Sequence, residues 1–210
     1  MISEYRFSGI TDFPTLTLND ALNMTAEPSI VERTTPGLIL GPFYPVRQPP
    51  AADHRLWRGA APPRGARRLC FDGRVCTVDG RAVAQATVEL WHADPAGRYP
   101  HPSAPEARQV DPDFIGYGRV STDTEGCFAF SSLVPGGYSA GDGQRAVHLH
   151  VQITGRCDRL LTQVFLPGDA AHRHDRWLHA APRREMLIAH VRDDAARVLH
   201  LEWTAFLARG

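Results

Sequence analysis

The chain predicts an all-β fold: an antiparallel β-sandwich core with long loops and an extended N-terminal arm. Three observations carry this expectation. The sequence holds about eight short runs of β-forming residues, turn residues punctuate them at short intervals, and no long stretch repeats with helical period. At 210 residues the chain can bury a sizeable core, and we read one domain over residues 36–210 behind an arm over 1–35.

Taken in order, Thr15 to Met24 has room for a short helix between Pro14 and Pro28. Residues 36–45, PGLILGPFYP, form an apolar run closed by rigid Gly/Pro backbone, and a Pro/Ala-rich loop to Gly65 follows, fit to cover a cleft or simply to lie on the surface. Leu69 to Val78 alternates and stops at Asp79-Gly80, a favoured hairpin turn. Ala82 to Ala93 then carries the β-formers Thr87-Val88-Glu89-Leu90-Trp91, so the two runs read as one hairpin. Residues 94–115 contain five prolines and read as a long excursion. Strands at Gly116 to Ser121 and Cys127 to Phe130 flank a turn at Asp123 to Gly126. The run 145–153 is the central strand, with Leu160 to Leu166 as its partner across a turn near Gly155. After a His- and Arg-rich segment over 170–184, Met186 to Val191 and Val198 to Phe206 read as two final strands turning at Asp193-Asp194.

Composition removes several function classes. Basic and acidic residues number 23 each, so no net field draws the chain to nucleic acid or a membrane surface, while small neutral or anionic ligands remain open. Every basic residue is arginine, and without lysine there is neither Schiff-base chemistry nor a P-loop lysine. Cys70, Cys76, Cys127 and Cys157 match no zinc spacing and no dense disulfide framework, and read as thiols in a reducing compartment. Charges interrupt the apolar residues of the first 22 positions, and no apolar run reaches membrane-spanning length, so the expectation is a soluble cytoplasmic protein.

The chemistry centres on Arg145-Ala146-Val147-His148-Leu149-His150-Val151-Gln152-Ile153. Strand period puts His148, His150 and Gln152 on one face and Val147, Leu149, Val151 and Ile153 on the other. Two imidazoles at i and i+2 reach one ion, and imidazole suits zinc, copper, iron or nickel, so this pair alone selects no metal.

Several segments together resemble one family. They are Trp91-His92-Ala93-Asp94-Pro95-Ala96-Gly97-Arg98-Tyr99, Asp111-Pro112-Asp113-Phe114-Ile115-Gly116-Tyr117-Gly118-Arg119, Thr122-Asp123-Thr124-Glu125-Gly126, Val134-Pro135-Gly136-Gly137-Tyr138 and Arg145 to His150, with Gly41-Pro42-Phe43-Tyr44 and Gln163 to Asp169 fitting as well. In this order they resemble the intradiol ring-cleavage dioxygenases from about Thr35 onward. The nearer likeness is to protocatechuate 3,4-dioxygenase subunits, because the Asp111 to Arg119 excursion is present and a long helical N-terminal dimerisation region is not. The sequence departs from the family's Trp-Arg-Pro-x-His-x-His: Gln144 precedes the arginine and Ala146 follows it. The loop from Tyr138 to Arg145 is also short and lacks the aromatic residue common after the second tyrosine.

The resemblance implies a non-haem Fe(III) cofactor with Tyr99, Tyr138, His148 and His150 as ligands. Two phenolates lower the ion's charge from three to one and neutral imidazoles complete the shell, provided the metal deprotonates tyrosines whose ordinary pKa is about 10. It also implies that Arg145 lies beside the substrate and stabilises developing ring charge, that Gln163 orients Arg145 or a ligand, and that Tyr138 is the ligand displaced by substrate. Pro42, Tyr44 and Arg145 are the substrate-binding candidates, and Gly41 to Tyr44 with the 94–115 excursion are candidates for the pocket wall. The implied reaction opens a catechol between its two hydroxylated carbons with O2 to a cis,cis-muconate-type diacid, on protocatechuate or a similar carboxylated ring. Catechol, hydroxyquinol or another substituted ring is the alternative substrate. The implied partners are this small molecule and O2, within an oligomer of like or related subunits. A rival of another class is a non-catalytic β-sandwich binding module with adventitious zinc or no metal.

Overall fold

In the computed structural model, residues 29–46, 53–58, 62, 65–104, 107–140 and 143–210 are described. The expected helix over Thr15 to Met24, and most of the arm, lie outside them. The described chain begins with a one-turn helix, α1 (Ile30–Arg33). Ser29 and Glu32 close a reciprocal capping box at its start, and Thr34 ends it in an extended conformation, so this short helix is defined without core contacts.

Ten strands follow: β1 (Arg68–Thr77), β2 (Thr87–Trp91), β3 (Tyr117–Ser121), β4 (Cys127–Leu133), β5 (Tyr138–Ala140), β6 (Gly143–Arg145), β7 (His148–Thr154), β8 (Arg159–Phe165), β9 (His190–Ala195) and β10 (Val198–Leu207). They form one four-stranded sheet in the order β4-β1-β10-β9, a second in the order β3-β2-β7-β8, and the small hairpin β5-β6. The sheets face each other across a single apolar layer. Leu69, Phe71 and Val75 of β1 meet Leu199, Leu201, Trp203, Ala205 and Leu207 of β10 on one side, and Val88, Leu90, Leu149, Val151, Ile153 and Val164 on the other. Alternate residues of each strand supply this layer, as strand period requires.

The β-sandwich expectation holds, with three corrections. Runs 69–78 and 82–93 are not one hairpin. Thr77 and Arg81 close a tight turn and Cys76 bridges Ala82, but the chain then crosses to the other sheet, where β2 pairs with β3 and β7. Gln85 makes that crossing at φ 57, a left-handed conformation that ends strand pairing. The freed edge of β1 is taken by β10, in parallel register from Arg68↔Val198 to Thr77↔Leu207, so the first sheet is mixed rather than antiparallel. The last correction is at the end of the chain: Arg184–Leu187 is a 3-10 turn, and Asp193 and Asp194 lie inside β9 opposite His200 and Leu199, the turn falling at residues 196–197.

The outer face of the second sheet positions the site. Glu89 and Trp91 of β2, His148, His150 and Gln152 of β7, and Gln163 and Phe165 of β8 share it, with Trp91↔His150 and His150↔Gln163 in direct register. Its β8 edge is covered by residues 35–39, where Leu38 N–H donates to Leu161 O and Pro36 O accepts from Thr162. The 92–116 excursion and a short helix, α2 (Arg176–Ala180), cover the rest. Among the described residues no helix is long and apolar enough to cross a membrane.

Candidate metal centre

Strand β7 delivers both histidines outward while Leu149 anchors them to the core. The His148 Nδ1–H donates to Ala146 O at 2.6 Å, which fixes the tautomer and leaves Nε2 with its lone pair, buried and without a partner. His150 lies flat on Trp91, ring centroids 5.0 Å apart and planes 10° apart, and its Nδ1 is likewise buried without a partner. Gly41, at φ 77, passes so close that a Cβ there would stand 2.9 Å from His150 Cε1. Only glycine lets the covering segment approach this ring.

The tyrosines arrive on two loops locked together through their backbones. Asp94 accepts from Ala96 N–H and Arg98 N–H at 2.8 and 2.9 Å and pairs with the Arg98 guanidinium, closing the turn that presents Tyr99. The Asp94 carbonyl accepts from Gly97 and from Gly136, tying this turn to the segment leading into Tyr138. Gly97, at φ 81, has no space for a side chain: a Cβ would stand 2.4 Å from Gly137 O. The four rings thereby form a closed circuit. Centroid separations are 5.6 Å for Tyr99–Tyr138, 5.8 Å for Tyr138–His148, 4.9 Å for His148–His150 and 6.2 Å for His150–Tyr99. The Tyr99 hydroxyl is a third buried atom without a partner.

Electrostatics inside the circuit favour neutral donors until a cation enters. Burial, helped by the positive charge of Arg145, pushes His148 down to about 4, and burial with the His148 neighbour holds His150 well below the usual imidazole range. Both nitrogens' lone pairs are therefore available at neutral pH. Burial and the Tyr138 phenol hold Tyr99 well above the ordinary tyrosine value, and burial raises Tyr138 against the pull of Arg145. These phenols ionise only beside a strong positive charge. Among the described residues no group of three or more His, Cys, Asp and Glu forms a metal site, so a centre here depends on the tyrosines. Two hard phenolic oxygens and two imidazoles, three of the four carrying an orphaned polar atom, fit a hard, highly charged ion.

Arg145 stands opposite Tyr138 in the β5–β6 hairpin and is buried. Its Nη2 donates to Gln163 Oε1 at 2.6 Å and its Nε to Asp175 Oδ2 at 2.9 Å. Gln163 is fully buried, and its amide also reaches Ile39 O at 3.4 Å. Asp175 and Asp169 hold the bend before β7 by accepting from Ala146 N–H and Val147 N–H. Sequence reasoning missed both, although an Asp just before Arg-Trp-Leu is a helix N-cap signal. A cavity of about 70 Å³ beside Arg145 is lined by Gln144, His174, Arg176 and Trp177. A cleft of about 830 Å³ opens on the side of Tyr99 and Trp91, walled by Phe43, by Pro100 and Phe114 of the excursion and by Tyr117 of β3. Pro42 is exposed, and the Tyr44 hydroxyl donates to Glu89 Oε1 at 2.9 Å. Phe43, between them, lines the cleft.

This arrangement has counterparts. The family model described as "Dioxygenase" matches residues 39–208. The protocatechuate 3,4-dioxygenase beta chain of Burkholderia cepacia is 34% identical over 158 residues, covering 70% of this chain and 67% of that one. Catechol 1,2-dioxygenase 2 of Acinetobacter lwoffii is 34% identical over 155 residues, 66% of this chain and 54% of the relative, so the chain spans about half of that protein. The crystal structure of catechol 1,2-dioxygenase from Pseudomonas arvilla C-1 superposes with a TM-score of 0.65 at 27% identity, covering 83% of this chain and 62% of that one. A match over most of the sandwich, joined to relatives in which a third of the aligned residues are the same, means that the chain belongs to the intradiol ring-cleavage dioxygenases.

Proposed function

We propose that this chain is a non-haem Fe(III) enzyme that opens a catecholic ring between its two hydroxylated carbons. The observation that supports it most is the closed circuit of Tyr99, Tyr138, His148 and His150 with buried Arg145 alongside. These four side chains would hold the ion: His148 through its free Nε2, Tyr99 and Tyr138 as phenolates. Bound ferric iron supplies Lewis acidity and electron withdrawal, making a chelated catecholate reactive toward O2. The protein residues do the rest. Tyr138, beside the Arg145 cation, would be the ligand whose oxygen could also take up one catechol proton. Arg145 presents a fixed cation where negative charge gathers, with its orientation set beforehand by two hydrogen bonds. The sandwich and its covering loops keep this centre dry, which strengthens every charge interaction within it. Both oxygen atoms of O2 end in the diacid product, so no external reductant enters.

For substrate we infer a carboxylated catechol of the protocatechuate kind, on the likeness to the protocatechuate 3,4-dioxygenase beta chain. For assembly we infer an oligomer: Ile30, Val31, Ile39, Leu40 and Val46 are exposed along the segment leading to the site. The test is purification with metal analysis, a visible spectrum and an oxygen-uptake screen over catechol, protocatechuate, hydroxyquinol and pyrogallol. A red-brown iron protein that forms a muconate-type acid is the expected result. A colourless protein holding zinc or no metal, with no oxygen uptake, overturns the reading and leaves the binding module.

A further inference from the structure

We propose that Asp175 is the positioning residue of the site, fixing Arg145 through one carboxylate oxygen while the other ties it to helix α2. The inference rests on the dioxygenase reading for its kinetic consequence. Asp175 is fully buried and all its acceptor capacity is used. Oδ2 accepts from Arg145 Nε and from Ala146 N–H, each at 2.9 Å. Oδ1 accepts from Trp177 N–H and Leu178 N–H at 3.0 and 3.1 Å, which makes it the N-cap of α2. One carboxylate thus joins three things that sequence leaves apart: the guanidinium, the residue Ala146 whose own carbonyl orients His148, and a helix packed by Leu178 against Phe165 and Leu187.

The consequence is mechanical. Arg145 is on a three-residue strand in a hairpin with a single partner strand, the smallest sheet among the described residues. Gln163 holds Nη2 alone, and one neutral contact leaves the guanidinium free to pivot about it. The second, charge-assisted bond to Asp175 removes that freedom. Because Asp175 is anchored to α2 outside the hairpin, the cation would keep its place if Tyr138, its register partner, moved.

The experiment compares wild type with Asp175→Asn, Asp175→Glu, Arg145→Ala and the Asp175→Asn/Arg145→Ala double variant. Asparagine keeps a capping oxygen for α2 but cannot accept from Arg145 Nε. Glutamate keeps the charge and displaces it, which guards against simple failure of the neutral variant to fold. Expected are unchanged iron content and visible band, a kcat lower by about 100-fold in Asp175→Asn with a smaller loss in Asp175→Glu, and KM within about threefold of wild type. The double variant should be no slower than Arg145→Ala alone, because a residue acting through Arg145 has nothing to position once it is gone. A readout independent of turnover is the Arg145 Nε–H signal in the iron-free full chain by NMR. It should be a single signal protected from exchange in wild type and lose protection in Asp175→Asn. Wild-type kcat in both Asp175 variants, additive losses in the double variant, or an unprotected wild-type Nε–H overturns the proposal. If wild type instead lacks colour and oxygen uptake, the dioxygenase reading fails, and the Nε–H signal still decides the role of Asp175.

Discussion

Tyr138 occupies the least comfortable position of the four rings. Burial holds its phenol above the ordinary tyrosine value, while Arg145 across the hairpin pulls the other way. A phenol balanced in this manner suits a ligand that is bound as phenolate and released as phenol. Tyr138→Phe should therefore retain the fold, weaken or bleach the visible band and reduce turnover at least about 100-fold; an unaltered spectrum would remove Tyr138 from the metal. Tyr44 illustrates the opposite case. It is a substrate-binding candidate of the sequence, and its hydroxyl proton is committed to Glu89, which also accepts from Tyr117. The residue identity was readable from the chain, and the direction of its hydroxyl was not.

At the scale of elements, the tyrosine loops matter more than the strands that frame them. The Asp94 turn and the Gly136-Gly137 segment touch backbone to backbone, and that contact sets the Tyr99–Tyr138 spacing. Gly97→Ala would force a methyl group to within 2.4 Å of Gly137 O at a φ of 81 that alanine disfavours. We expect a loss of about 1–3 kcal/mol and a disproportionate drop in iron retained after dialysis, because separating the loops separates the two candidate ligands. Wild-type iron retention would show that the loops can part without moving the rings. The shifted final hairpin has a related cause. Met186 was read as strand from its apolar neighbours, but its carbonyl accepts from Trp203 Nε1 within a 3-10 turn, and β9 begins only at His190.

For the whole molecule, the sandwich creates a pH liability apart from the metal. His92 is fully buried, with Nδ1–H donating to Ala93 O at 2.7 Å and Nε2 accepting from Ser132 Oγ at 2.6 Å. Burial pushes its pKa from 6.5 down to about 4. The unfolded chain thus takes up a proton there that the folded chain refuses, so this contribution to stability is complete above pH 6.5 and is lost as pH falls toward 4. A span of that size corresponds to about 3 kcal/mol. Chemical denaturation of wild type and His92→Gln between about pH 7.5 and 4.5 should show the steeper loss in wild type, and parallel curves would refute it.

The sequence alone determined the β-sandwich class and the outward face of β7, because strand period and local turn chemistry are written in neighbouring residues, and its ordered motifs carried the resemblance that gave the family and implied the four candidate ligands. The tertiary structure alone decided that β1 leaves its sequence neighbour for β10, that Asp175 reaches Arg145 from 30 positions away, and that Tyr44 turns to Glu89. Those outcomes depend on which edges and buried donors remain unpaired once the sheets have closed. That competition is settled among distant segments, where a linear pattern carries no record of the winner.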